Sequence, residues 1–102
     1  MIICSVYDNK AKFFMTPFFG TTRGEVIRQF IHACNDVDHQ FYQYAEDYTL
    51  LEIGTWEPST GHMEFHPEPE ALGRARELKG IYGKPAADEL VRAANSETEK
   101  LQ

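Results

Sequence analysis

The segment from Thr22 to Cys34 limits this chain's fold more than any other, because local chemistry alone is enough to start a helix there. In Thr22-Arg23-Gly24-Glu25 the Thr hydroxyl and the Glu carboxylate can satisfy the first open backbone N–H groups reciprocally, as a capping box does. Behind it, Val26, Ile27, Phe30, Ile31 and Cys34 fall on one side of a 3.6-residue repeat, and Asn35-Asp36 is a stop signal. The pattern predicts a helix over 23–35. A helix of this length is marginal alone in water, so its apolar stripe needs a second layer to cover it.

The flanking segments supply strands. Ile2 to Tyr7 is β-rich, with Ile2, Cys4 and Val6 on one face by period-two alternation. Asp8-Asn9-Lys10-Ala11 is a turn in which Asp and Asn can bond their own backbone, and Lys12 to Thr16 returns as a second strand. Pro17 ends that strand or places it at an edge. Residues 36–48 are expected to be a connecting loop with a short turn. Tyr48–Trp56 and His62–His66 read as a hairpin closed around Glu57-Pro58-Ser59-Thr60-Gly61, with Leu51, Ile53, Met63 and Phe65 on its buried face. Pro67 and Pro69 are expected to open a helix over about 70–79, stopped by Gly80, and residues 86–95 a further short one. The order ββαββα predicts an α+β fold, one antiparallel sheet packed by helices with a short C-terminal helical tail. Residues 1–83 form the domain, and 84–102 the helical or partly disordered tail.

The chain's 102 residues suit one core, and 42% hydrophobic with 25% charged residues is the balance of a folded protein rather than a disordered one. No apolar run approaches the ~20 residues of a membrane span, and Met1–Asp8 reads as a strand and not as a signal peptide. Cys4 and Cys34 have apolar neighbours and no CxxC partner, which fits two buried free thiols in a reducing compartment.

Charge is organised by segment. Residues 1–34 carry Lys10, Lys12, Arg23 and Arg28 against Asp8 and Glu25. Residues 35–70 carry nine acids and no Lys or Arg, and the whole chain has a formal charge of −6. Tyr7, Lys10, Lys12, Phe14, Phe19, Arg23 and Arg28 thus form a candidate nucleic-acid-binding set, in which cations meet phosphates and rings stack on bases. Adjacent aromatics on a strand point to opposite faces, so one of Phe13 and Phe14, and one of Phe18 and Phe19, belongs to the core. Asp36, Asp38, Glu46 and Asp47 form a candidate partner-binding set for a basic surface.

Catalytic constellations fail on geometry. His32 and Cys34 lie two apart on a helix and do not face each other. His62, Glu64 and His66, with Glu52 across the hairpin, share a strand face, but side chains at i and i+4 sit about 13 Å apart, too far for one zinc. The sequence therefore predicts a protein that binds rather than catalyses, without metal or cofactor.

Two ordered blocks carry a family resemblance: Ser5-Val6-Tyr7-Asp8, Lys10-Ala11 and Pro17-Phe18-Phe19, then Glu46–Trp56 and Thr60-Gly61. Over about residues 3–80 the chain resembles the small non-structural protein of gokushovirus-type microviruses, bacteriophages with circular single-stranded DNA genomes. The resemblance implies action in the host bacterial cytoplasm, around the shift from duplex replication to single-stranded genome production, and absence from the mature virion. It implies no catalytic residue. The expected partners are single-stranded DNA, through the hairpin 7–19 and the helix start, or a viral or host replication protein docked on the acidic 35–70 region. A homodimer by strand pairing is a further expectation.

Overall fold

The computed structural model describes residues 1–80. It contains one antiparallel sheet with helices on one face, an α+β architecture in the expected element order apart from a third short strand near the N-terminus. The C-terminal helix expected over 86–95 lies outside the described residues.

Strand β1 (Ile2–Asp8) is central. On one side it pairs with two short strands, β2 (Phe13–Phe14) at its C-terminal half and β3 (Phe18–Gly20) at its N-terminal half. On the other side it pairs with β4 (Tyr48–Glu57), which pairs with the edge strand β5 (His62–Arg74). The return strand expected over 12–16 is thus an interrupted edge, split at the donor-less Pro17 as its chemistry requires. The turn before it forms as expected, the Asp8 carboxylate accepting from the N–H groups of Lys10 (3.0 Å) and Ala11 (3.1 Å).

Helix α1 (Arg23–Cys34) is capped by Thr22, whose hydroxyl accepts from the Glu25 N–H at 3.2 Å. Its stripe of Val26, Ile27, Phe30, Ile31 and Cys34 packs on Ile2, Cys4, Val6 and Leu50 of the sheet. The 36–48 connection is more regular than expected, with a short helix α2 (Gln40–Gln43) and a 3-10 turn (Ala45–Asp47). Phe41 from α2 reaches the core, 5.2 Å from Phe30 and 4.8 Å from Tyr48 between ring centroids.

Two expectations for the second half are corrected. Pro67 and Pro69 open no helix: β5 runs through both to Arg74, and the helical segment shrinks to α3 (Ala75–Leu78). The prolines fall where the β4–β5 register skips from Phe65 to Glu70, on an edge strand, so they remove no ladder bond. The buried face of the β4–β5 hairpin is also reversed. Leu50 and Glu52 point to the helices, whereas Leu51 and Ile53 are half-buried and Met63 and Phe65 exposed. Alternation alone placed Glu52 outward; a buried cation holds it inward.

A candidate nucleic-acid interface on the open sheet face

Among the described residues, one face of the sheet carries the helices and no helix covers the other, where Ile3 and Ser5 are nonetheless buried while the rings around them are exposed. On β1, Ile3, Ser5 and Tyr7 alternate away from the core residues Ile2, Cys4 and Val6. The register sets Phe14 beside Tyr7 and Phe19 beside Ile3, and across the sheet Thr49 beside Tyr7, Leu51 beside Ser5 and Gly54 beside Ile3. Strand β5 adds Met63 opposite Trp56, Phe65 opposite Gly54, Ala71 opposite Leu51 and Arg74 opposite Thr49. The rings gather in two groups: Tyr7 with Phe14 edge-on at 4.9 Å, and Phe19 with Trp56 at 5.2 Å. Phe14 is 46% exposed, Phe19 47% and Phe65 63%, an unusual amount of aromatic surface for so small a domain.

Gly54 makes room for this arrangement. A Cβ there would stand 2.5 Å from the Glu64 carbonyl oxygen and 3.1 Å from the Phe65 ring, so only glycine lets β5 pass so closely with Phe65 alongside.

Charge divides between the two faces. Every strand carboxylate with a ladder partner, namely Asp8, Glu52, Glu57, Glu64 and Glu70, takes the parity of the helix side. The open face receives none of these and gains Arg74. Exposed Lys10 and Lys12 occupy the turn that follows Tyr7, Lys10 beside a shallow depression shared with Asp47 and Lys12 with a left-handed φ of 63°.

The sequence-derived set therefore divides. Tyr7, Phe14 and Phe19 share the open face, with Lys10 and Lys12 at its end. Arg28 is exposed on α1, behind the sheet. Arg23 is 6% exposed and anchored on the helix side: its Nε and Nη2 donate to the two Glu52 oxygens at 2.9 and 3.1 Å, and Nη2 also to Glu70 at 2.7 Å. A cation in the first turn opposes the helix dipole, and these carboxylates offset that cost. Arg23 is thus a structural cation and leaves the interface set. Sequence reasoning missed Trp56, Phe65 and Arg74. The β4–β5 ladder is what reveals them, because local patterning alone places Phe65 in the core and Arg74 in a helix.

His66 completes the Arg23 cluster, its Nε2 2.6 Å from the second Glu52 oxygen. Burial is the largest influence on the Glu52 carboxyl and pushes its pKa up, but hydrogen bonds and charge from Arg23 and His66 together hold it below the ordinary value. The cluster lines a cleft of about 660 Å³ with Glu64 and His62 on its wall. Among the described residues no group of three or more His, Cys, Asp or Glu side chains is placed to hold a metal. Both cysteines are free and buried. Burial raises Cys4 to about 12 and Cys34 to about 11, so neither is a ready nucleophile.

The acidic set Asp36, Asp38, Glu46 and Asp47 lies in the connection from α1 to β4. The first three are exposed and Asp47 is half-buried. The Asp36 carboxylate caps its own turn, accepting from the Asp38 N–H at 3.0 Å.

These features define a class: a small two-layer α+β protein whose sheet, among the described residues, has one face closed by helices and the other carrying exposed rings and no ladder carboxylate. Residues 1–78, through the last described helix, match the family model described as Phage ORF5 protein, and the chain belongs to that family. It is a phage protein, as the resemblance implied. No curated protein and no solved structure gives a significant match.

Proposed function

We propose that this protein is a non-enzymatic, replication-associated factor of a single-stranded-DNA phage, acting in the bacterial cytoplasm by binding unpaired DNA across its open sheet face. The observation that carries this reading is the division of charge and rings. In a chain of formal charge −6, the ladder carboxylates stand on one side and the exposed rings of Phe14, Phe19 and Phe65, with Arg74, on the other, Phe13 alone of the exposed strand rings lying with Asp8. Bases offer π-faces to stack, worth about 1–3 kcal/mol each, and phosphates require a surface clear of carboxylates. A microvirus setting, from the sequence resemblance, supplies such a strand.

Titration of a fluorescent oligothymidylate at several salt concentrations tests the reading. Two or three phosphates met by Lys10, Lys12 and Arg74 give a log–log salt slope of about −1.5 to −2. Lys12→Gly, which removes a cation where φ is already 63°, weakens binding without loss of stability. Absence of binding at low salt removes the proposal. A concentration-dependent dimer in sedimentation, lost in a Phe14→Ala/Phe65→Ala variant, assigns the face to a second copy instead.

A second reading has one observation of its own: the exposed acids Asp36, Asp38 and Glu46 project from the connection between α1 and β4 rather than from the aromatic face. That leaves them available to a basic viral or host replication protein. Replacing Asp36, Asp38, Glu46 and Asp47 by their amides and comparing co-purified partners from infected cells tests it; unchanged partners remove it.

A further inference from the structure

The open face is not uniformly aromatic, and its unevenness bears on how a strand would lie on it. Tyr7 and Phe14 form one ring group, level with Thr49 and Arg74 and next to the Lys10–Lys12 turn. Phe19 and Trp56 form the other, level with Ile3, Gly54 and Phe65. Tyr7 and Ile3 are four residues apart on β1, about 13 Å at the usual rise of a strand. Between them lies Ser5, whose hydroxyl is engaged by the Met15 carbonyl at 2.6 Å, flanked by Leu51 and Ala71. The middle is smooth and non-aromatic. The ends also differ in charge. The Tyr7 end has Lys10, Lys12 and Arg74 with Asp8 and Asp47 beside Lys10, whereas Trp56 and Phe65 border the cleft lined by Glu57, Glu64 and Glu70 with no exposed Lys or Arg among the described residues.

Resting on the proposed function, we infer that the sheet face binds single-stranded DNA at two separate stacking stations of unequal strength. The Tyr7–Phe14 station, with Lys12 and Arg74, is the anchor and takes the first base and its phosphates. The Phe19–Trp56–Phe65 station adds a second stack only when the strand is long enough to reach it. A stacked strand advances about 3.4 Å per nucleotide, so ~13 Å corresponds to about four steps, and a stretched strand needs fewer. The occupied length is therefore about three to five nucleotides. Base-edge readout has no part in this arrangement, because the surface between stations is Leu51 and Ala71, and Ser5 beside them is buried with its hydroxyl engaged. Recognition is then sequence-tolerant and excludes duplex, whose base faces are covered by their neighbours.

A length series of oligothymidylates from two to ten nucleotides, titrated against wild type, Phe14→Leu and Phe65→Leu, tests the two stations. Leucine keeps apolar bulk and removes the ring, and both positions are exposed, so urea midpoints stay near wild type. The expected result is a rise in affinity of 10-fold or more between two and five nucleotides, then a plateau, each stack being worth roughly that factor. Phe14→Leu weakens every length, whereas Phe65→Leu weakens five nucleotides and longer but leaves the dinucleotide unchanged. An equal loss in Phe65→Leu at all lengths, or affinity that grows smoothly to ten nucleotides, overturns the two-station arrangement while leaving DNA binding intact. Failure of every oligonucleotide to bind overturns the proposed function itself.

Discussion

Glu52 is only 2% exposed, and the groups around it keep it ionised. Breaking a buried ion pair from one side leaves an uncompensated charge, at a cost of about 3–5 kcal/mol, a large part of a small domain's whole stability. Glu52→Gln, which removes the buried carboxylate and leaves the Arg23 guanidinium its bond to the more exposed Glu70, is expected to lose up to that much in urea unfolding. Arg23→Met/Glu52→Leu, which removes both charges at similar volume, is expected to stay within about 1–2 kcal/mol of wild type. If the double variant is as unstable as the single one, the pair is not what Glu52→Gln disturbs. The pH dependence has a fixed sign. A carboxyl held below its ordinary value of 4.5 in the folded state stabilises fully above that value, and the contribution is lost as pH falls through the lower, folded-state value. Wild type is therefore expected to lose more stability than the double variant between about pH 5 and pH 3, measured by thermal unfolding at each pH.

At the scale of elements, the β4–β5 hairpin is where the chain is hardest to read and where Gly54 matters most. Gly54→Ala places a Cβ 2.5 Å from a backbone oxygen of β5, which cannot yield as a side-chain end can. Overpacking of this kind costs about 1–3 kcal/mol, seen as a lower urea midpoint, and the same variant shifts Phe65 and weakens binding of longer oligonucleotides. An unchanged midpoint would mean that the strands separate freely there. The Thr22 cap and stripe of α1, the β1 alternation, the Asp8 turn and the Gly61 turn, with its φ of 76°, were legible because each is fixed by residues within a few positions. Of the capping box, however, only the Thr22 half forms. The face of β4 was not. With Glu52 between Leu51 and Ile53, alternation sends the charge outward, and only the long-range Arg23 partner reverses it. The extent of β5 was hidden for a related reason: prolines and helix-spaced Leu72, Ala75 and Leu78 suggest a helix, while the ladder opposite β4 overrides that local preference. The candidate site was half legible. The hairpin rings Tyr7, Phe14 and Phe19 could be found from sequence, but Trp56, Phe65 and Arg74 join them only through pairing.

At the scale of the whole molecule, the sheet separates two surfaces that a net charge of −6 conceals. The separation is a consequence of parity, since a strand that buries alternate residues under helices must present the others together. In this chain each carboxylate with a ladder partner has the helix-side parity and each exposed ring of the two groups the other. If that division creates the binding surface, a carboxylate moved to the open face should abolish binding without disturbing the fold. Ala71→Glu is the direct test, because Ala71 is exposed on the edge strand beside Leu51, midway between the ring groups. Its expected effect is a loss of oligonucleotide affinity of at least 10-fold at low salt, shrinking as salt screens the new charge, with the urea midpoint within about 0.5 kcal/mol of wild type. Ala71→Gln, of nearly the same size, should retain most of the affinity. Glu64→Gln removes a charge from the other side of β5 and should change affinity less than two-fold. Equal losses in Ala71→Glu and Ala71→Gln would point to shape alone, and a large gain in Glu64→Gln would mean that total charge, and not its division by the sheet, governs what this protein binds.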